Sequence, residues 1–317
     1  MTITTRITRM LGIRHPIVQA GMSWASSGST LPIAVSNAGG LGVIAAGPMR
    51  LPDLQAAIRE VKAATSNPFA VNVPLYRPGS ADVLDLLEAE RVPVVIASQG
   101  GPKPHLTRFH AYGCKWLHVV ASVAHATKAT SAGVDGLVVV GIEAGGHPPP
   151  AEVGTLVIVR RIARSIDIPI VAGGGVADGA GIVALLALGA DAVQLGTRFL
   201  LTPESRLHQA YKDAVLAADV DGTTLVGRGG LPVRIVRNRL SARLEEAERE
   251  GLDPSTRAEL IERSTLKMAA LDGDVDWGKV EAGQSAGLVD SIMPAAEVID
   301  QLVKEIEQTL MRFASLR

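Results

Sequence analysis

The sequence predicts a (β/α)₈ barrel of the α/β class, with a helical cap inserted after the eighth strand. Three observations carry this expectation. Short aliphatic runs recur eight times along the first two-thirds of the chain, and each is followed by a turn and a helix-like stretch. Apolar residues make up 47% of the sequence but aromatics only 3%, so the core is built from Val, Ile, Leu and Ala, which suit buried parallel strands. The 33 glycines gather where the runs end.

In chain order the runs are Pro16–Gln19, Leu41–Ala45, Phe69–Val73, Val92–Ala97, Trp116–Val120, Gly136–Val140, Ile168–Ala172 and Ala192–Leu195. Between them lie the helical patterns Pro52–Ala64, Ala81–Glu90, Val123–Ala132, Leu156–Ser165 and Ala180–Leu188. Strands alternating with helices of this length make βαβ units, and eight such units close a barrel. An open doubly wound sheet is the competing arrangement. It would carry a dinucleotide fingerprint after the first strand, and Ala20-Gly21-Met22-Ser23-Trp24 is not one. After Phe199-Leu200-Leu201 the texture changes. From Glu204 to Ala270 the chain is charged, helical and poor in strand signals, and Ser241–Gly251 reads as a charged helix ending in Gly. In Ala295–Phe313 the apolar positions Val298, Ile299, Leu302, Val303, Ile306 and Leu310 make an amphipathic helix that returns to the barrel. The expected division is a barrel of residues 1–205 and 290–317 and a mainly helical cap of residues 206–289.

Several function classes are excluded by composition. A net charge of −1 gives nothing that draws the chain to nucleic acid or an anionic membrane. The single cysteine, Cys114, rules out an intramolecular disulfide and places the chain in a reducing, cytoplasmic compartment. Cys114 opens an apolar run, so it reads as a buried structural thiol. The stretch MTITTRITRML has two arginines and no apolar core, unlike a signal peptide, and no apolar run is long enough for a membrane helix.

A barrel places its chemistry at the C-terminal ends of its strands, with a recurrent phosphate site after strands seven and eight. Those positions carry Ala172-Gly173-Gly174-Gly175-Val176-Ala177-Asp178-Gly179 and Gly196-Thr197-Arg198-Phe199. Glycines let backbone N–H groups approach a phosphate closely, and a following helix N-terminus adds partial positive charge. Asp178 is the expected N-cap of the helix starting at Gly179. Tight turns alone would explain either stretch; both at consecutive strand ends point to phosphate. After strand six, His147 follows Gly145-Gly146 and precedes Pro148-Pro149-Pro150. An imidazole at the barrel mouth can take or give a proton near neutral pH, and a structural His in a stiff loop is the alternative. Asn72 and Gln99 follow strands three and four, where each amide can meet a cofactor or satisfy a strand-end carbonyl. His118 lies inside strand five and reads as a hydrogen-bonded core residue. No His or Cys pair has metal-ligand spacing and no Ser nucleophile elbow appears, so hard chemistry here calls for an organic cofactor.

At these residues the sequence resembles the FMN-dependent nitronate monooxygenases, also called 2-nitropropane dioxygenases, and the related FMN-dependent enoyl-ACP reductases. The stretches that carry the resemblance are His15–Met22, Ser36–Gly42, Pro68–Asn72, Glu143–His147, Ala172–Gly179, Gln194–Phe199, Gly273–Asp276 and Ala282–Gln284. They span nearly the whole chain. The resemblance implies FMN as cofactor, with Gly21, Met22, Asn72 and Gly145 at the flavin ring. It puts Gly173, Gly174, Gly175, Gly196 and Thr197 at the phosphate and ribityl chain, and His147 where the family carries its catalytic histidine. Ala20, Gln99, Gly146 and Gln194 complete the expected cofactor-binding set. Three departures fall near flavin or substrate. Pro74 stands where some relatives have Thr, Val119 where some have Lys, and Pro148-Pro149 where many have a small Gly-containing sequence.

The resemblance implies oxidation of alkyl nitronates with O₂ to a carbonyl compound and nitrite, and this is the favoured expectation. The alternative is NAD(P)H-dependent reduction of an enoyl thioester. For that reading the four arginines Arg228, Arg234, Arg237 and Arg239 could meet an acidic carrier protein or a nicotinamide phosphate, although a solvated basic face explains them equally well. A non-catalytic flavin-binding protein is a third reading, against which His147 argues. The oligomeric state, a homodimer included, is left open.

Overall fold

The computed structural model describes residues 3–228 and 230–316. Met1 and Thr2 of the N-terminal stretch, and Gly229 of the arginine-rich segment, lie outside the described residues. The eight aliphatic runs become β1 (Ile17–Gln19), β2 (Gly42–Ala45), β3 (Phe69–Pro74), β4 (Val94–Ser98), β5 (Lys115–Val120), β6 (Gly136–Val140), β7 (Ile170–Gly173) and β8 (Ala192–Leu195). They form one parallel sheet in the order β1-β8-β7-β6-β5-β4-β3-β2. A bridge between Val18 and Leu41 joins the two ends, so the sheet curls into a barrel. Where the β1–β2 ladder is short, the buried Gln19 amide supplements it: Val43 N donates to Gln19 Oε1 at 2.8 Å, and Gln19 Nε2 donates to Val43 O at 3.2 Å.

Helices follow each strand. A leading helix α1 (Arg6–Leu11) precedes β1; then come α2 (Thr30–Asn37), α3 (Leu51–Ala64), α4 (Ser80–Ala89), α5 (Lys103–His110), α6 (Val123–Ala132), α7 (Thr155–Ala163) and α8 (Gly179–Ala187). Alternate strand residues point inward and outward. The inward set, with Val18, Val43, Ala70, Ile96, Leu117, Val138 and Val171, fills the barrel, and Ile7 and Leu11 of α1 plug its N-terminal end. The outward set packs under the helices, where Trp116, Phe109 and Ile58 are fully buried. Cys114 is buried in this layer, and burial pushes its thiol up to about 12, as expected of a structural cysteine.

After β8 the chain runs through α9 (Thr197–Leu200) and α10 (Gln209–Leu216). An antiparallel hairpin of β9 (Thr223–Val226) and β10 (Val233–Val236) comes next, followed by α11 (Arg239–Arg249), α12 (Pro254–Arg263), α13 (Leu266–Ala270) and a 3₁₀ turn at Gln284–Leu288. Helices make up most of this segment, and the β9–β10 hairpin, which the sequence reading did not foresee, stands among them. The last helix, α14 (Ala295–Ala314), buries Val298, Ile299, Leu302 and Ile306. It packs on α8 and α2 and so completes the outer ring. Its cover explains why α8, GAGIVALLA, has no polar face. Among the described residues, no helix is long and apolar enough to cross a membrane.

Candidate active site

The C-terminal ends of the strands open into two adjoining cavities. The smaller, about 290 Å³, is lined by Ala20, Gly21, Met22, Asn72, Gly145, Gly146, His147, Gly173, Gly174, Gly175, Gln194, Gly196 and Thr197. The structure thus brings together every sequence-predicted site residue except Gln99. Gln99 lines the larger cavity, about 1010 Å³, which shares His147, Ser98, Val119 and Glu281 with the smaller one. All three departures from the family pattern also line the larger cavity, through Pro74, Val119, Pro148 and Pro149.

Local chemistry shapes the smaller cavity. Asn72 Nδ2 donates to Ile96 O in the middle of β4 at 3.0 Å, which fixes the amide and leaves Oδ1 as an acceptor. Asp178 caps α8 as expected, accepting from Gly181 N at 2.7 Å. Glu305 of α14 also accepts from Gly179 N at 2.8 Å. Two carboxylates therefore already meet the positive end of α8. The donors that remain are in the turns. Among the described residues, the N–H groups of Gly174, Gly175 and Gly196 are not spent on other backbone carbonyls. Unspent N–H groups in two facing glycine turns fit one terminal phosphate.

The segment Ala282–Gln284, which leads into the 3₁₀ turn, closes over the site. Gly283 N donates to Thr197 Oγ1 at 2.9 Å, and Gln284 N donates to Glu143 O at 2.9 Å. A side chain at Gly145 would come within 2.5 Å of the Ala282 backbone, so this strap lies directly on the loop after β6. Gly146 and Arg234 exchange backbone hydrogen bonds of 3.2 and 2.7 Å, tying the same loop to β10. The hairpin also sets the histidine. His147 Nδ1 lies 3.0 Å from Pro232 O. A carbonyl only accepts, so Nδ1 carries the hydrogen and Nε2 is left to take or give a proton in the cavity.

The four arginines are committed elsewhere. Arg234 is buried and donates to Ile142 O and Thr223 Oγ1, while Arg228, Arg237 and Arg239 pair with Glu152, Glu245 and Asp276. The cations around the larger cavity are others: Arg77, Lys128, Lys267 and Lys279. His118 is a buried residue of β5 with a hydrogen bond to the Gly100 backbone, as the sequence led one to expect. Its Nδ1 has no hydrogen-bond partner, and burial pushes its pKa down to about 4. Sequence reasoning missed Glu281, which lines both cavities. Its only signal was a carboxyl two residues before the Gly283-Gln284 match. Among the described residues, no group of three or more His, Cys, Asp or Glu is placed to hold a metal ion.

Glycine turns with unspent N–H groups thus stand beside His147 at the mouth of a (β/α)₈ barrel. The nitronate monooxygenase family model matches residues 4–86 and 81–305, and the chain belongs to this family. The family is flavin-dependent in general, and its membership makes this chain an oxidoreductase. A nitronate monooxygenase of Pseudomonas aeruginosa is 35% identical over 96% of this chain and 99% of its own. A (3aS,4S,5R,7aS)-5-hydroxy-7a-methyl-1-oxo-octahydro-1H-indene-4-carboxyl-CoA dehydrogenase of Mycobacterium tuberculosis is 32% identical over 96% of both chains. The solved structure of FabK from Thermotoga maritima superposes with a TM-score of 0.93 at 39% identity, covering 100% of both chains.

Proposed function

We propose that the chain is an FMN-dependent oxidoreductase of acyl thioesters that reduces an enoyl thioester with electrons from NAD(P)H. The observation that carries this reading is the larger cavity. At about 1010 Å³ it lies at the top of the range for small-ligand sites, and it opens beside His147. Four cations line it against the single carboxyl of Glu281. An alkyl nitronate needs little of that space, whereas a thioester on a phosphorylated carrier is long and anionic. The relative named for a carboxyl-CoA substrate points the same way.

When bound, FMN supplies the two-electron chemistry. The unspent N–H groups of Gly174, Gly175 and Gly196 would hold its phosphate, and Asn72 Oδ1 offers an acceptor near the ring. The net reaction joins an enoyl thioester, NAD(P)H and a proton to give the saturated thioester and NAD(P)⁺. His147, held through Nδ1 by Pro232, delivers that proton from Nε2. The strap at Ala282–Gln284 shields the site from water.

Nitronate oxidation is the second reading. The relatives named nitronate monooxygenase favour it, as does the free Nε2, which in its neutral form suits proton abstraction from a nitroalkane. One set of assays separates the two. The cofactor released by denaturation is identified by mass, and FMN, not FAD, is expected. The protein is then assayed with NADH or NADPH plus enoyl-CoA, and anaerobically with an alkyl nitronate. Enoyl-dependent oxidation of NAD(P)H supports the first reading. Flavin bleaching by the nitronate alone replaces it with the second.

A further inference from the structure

Glu281 is the only carboxyl that lines either cavity among the described residues, and the reaction as derived does not use it. Its backbone is fixed from two sides: Tyr211 Oη donates to Glu281 O at 2.7 Å, and Val236 N donates to the neighbouring Val280 O at 2.8 Å. Its side chain turns back towards the loop after β6. Oε2 stands 3.1 Å from where a side chain on Gly146 would begin, so the carboxyl sits against the residue that precedes His147. The two side chains line both cavities together.

We propose that Glu281 is a positioning residue that, with His147, retains the proton the reaction consumes. This rests on the reading of His147 as the proton-transfer group. With Nδ1 bonded to Pro232 O, a second proton on Nε2 makes an imidazolium. The surrounding cations oppose it: Arg77 in the loop after β3, Lys128 on α6, Lys267 on α13, Lys279 two residues before Glu281 and Arg234 behind Gly146; His125 lies across the larger cavity beside His118, which burial keeps neutral. Tyr211, from α10, gives its hydroxyl to the backbone and leaves the carboxyl alone. Among the described residues, Glu281 supplies the only carboxyl inside the cavities to compensate the imidazolium. Burial raises its own proton affinity, and His147, then Lys279 and Arg77, act against that rise. A proton taken up here therefore belongs to the pair and not to one group alone.

The test is a histidine ¹³Cε1 NMR titration of the full FMN-loaded chain, with the His147 resonance assigned by its loss in His147→Gln. In Glu281→Gln the His147 midpoint is expected to fall by about 1 pH unit, the lower end of the effect of a nearby opposite charge. Glu281→Asp, which keeps the charge, should restore most of it. Lys279→Gln removes a cation near the pair and should move the midpoint upward, which provides a test if Glu281→Gln binds no flavin. In turnover, Glu281→Gln should lose kcat on the alkaline side with little change in KM. A His147 midpoint that stays put in Glu281→Gln, or in Lys279→Gln where the first variant fails to fold, overturns the proposal. Unchanged turnover in His147→Ala would instead remove the proton-transfer reading, whatever the titration shows.

Discussion

A side chain built at Gly196 meets nothing closer than Met22 Sδ at 3.6 Å and Ala20 Cβ at 3.7 Å. It would project into the smaller cavity without disturbing the barrel. Gly174 differs: its φ is +107°, and a Cβ there would lie 2.7 Å from Thr155 Oγ1. Val at either position would crowd the glycine turns. The structure makes only Gly196→Val the clean test, because Val at 174 is strained and clashes. Gly196→Val should keep its circular dichroism and lose most of its flavin; full retention would place the phosphate elsewhere. His147→Ala should do the reverse. The phosphate donors lie in other loops, so flavin content should hold while turnover falls by about 10²–10⁴. Much of this site was legible in the sequence, because glycines at strand ends and a His after two glycines keep their meaning in any barrel. Glu281 was not, since a lone carboxyl becomes informative only when the strap folds it against Gly146.

Between elements, the contact of α8 with α14 decides how the ring closes. Gly179 begins α8, and a Cβ there would overlap Glu305 Cβ and Ile306 N of α14. The absence of a side chain lets the helices touch, and Glu305 then accepts from Gly179 N. Gly179→Ala should therefore destabilise the chain by about 1–3 kcal/mol, the usual cost of overpacking, read as a lower urea midpoint. An unchanged midpoint would mean that α14 slides without cost. The barrel strands and α14 were legible because long aliphatic runs and a period near 3.6 survive without tertiary context. Helices α2 and α5 were not. The first carries Pro32 and Ser36 inside it, and the second, KPHLTRFH, is too polar to show a stripe. The β9–β10 hairpin was hidden because its strands are four residues each and β10 buries the charged Arg234 between Val233 and Ile235. A buried arginine looks like an exposed one until its acceptors, Ile142 O and Thr223 Oγ1, are in place.

Across the whole molecule the net charge is −1, yet the mouth of the larger cavity is basic, so charge is sorted within the fold. The same sorting leaves a pH signature in stability. His118 sits on β5 with 5% exposure and no partner for Nδ1. Unfolded, its imidazole titrates at the ordinary 6.5; folded, burial lowers this to about 4, with the Gly100 carbonyl acting against the shift. Between those values the unfolded chain binds a proton that the folded chain refuses. Stability from this group is thus complete above pH 6.5 and lost progressively as pH falls to 4. A difference of that size is worth about 3 kcal/mol. His15 and His105, also lowered by burial, add to the same slope, while Glu281, raised by burial, tilts it the other way. The contribution of His118 is isolated by comparing urea midpoints of wild type and His118→Gln at pH 4.5 and 7. Gln keeps the site polar but cannot titrate. The wild type should gain more stability than the variant between the two values. Parallel gains would mean that the folded chain protonates His118 freely, and that β5 opens to water at this position.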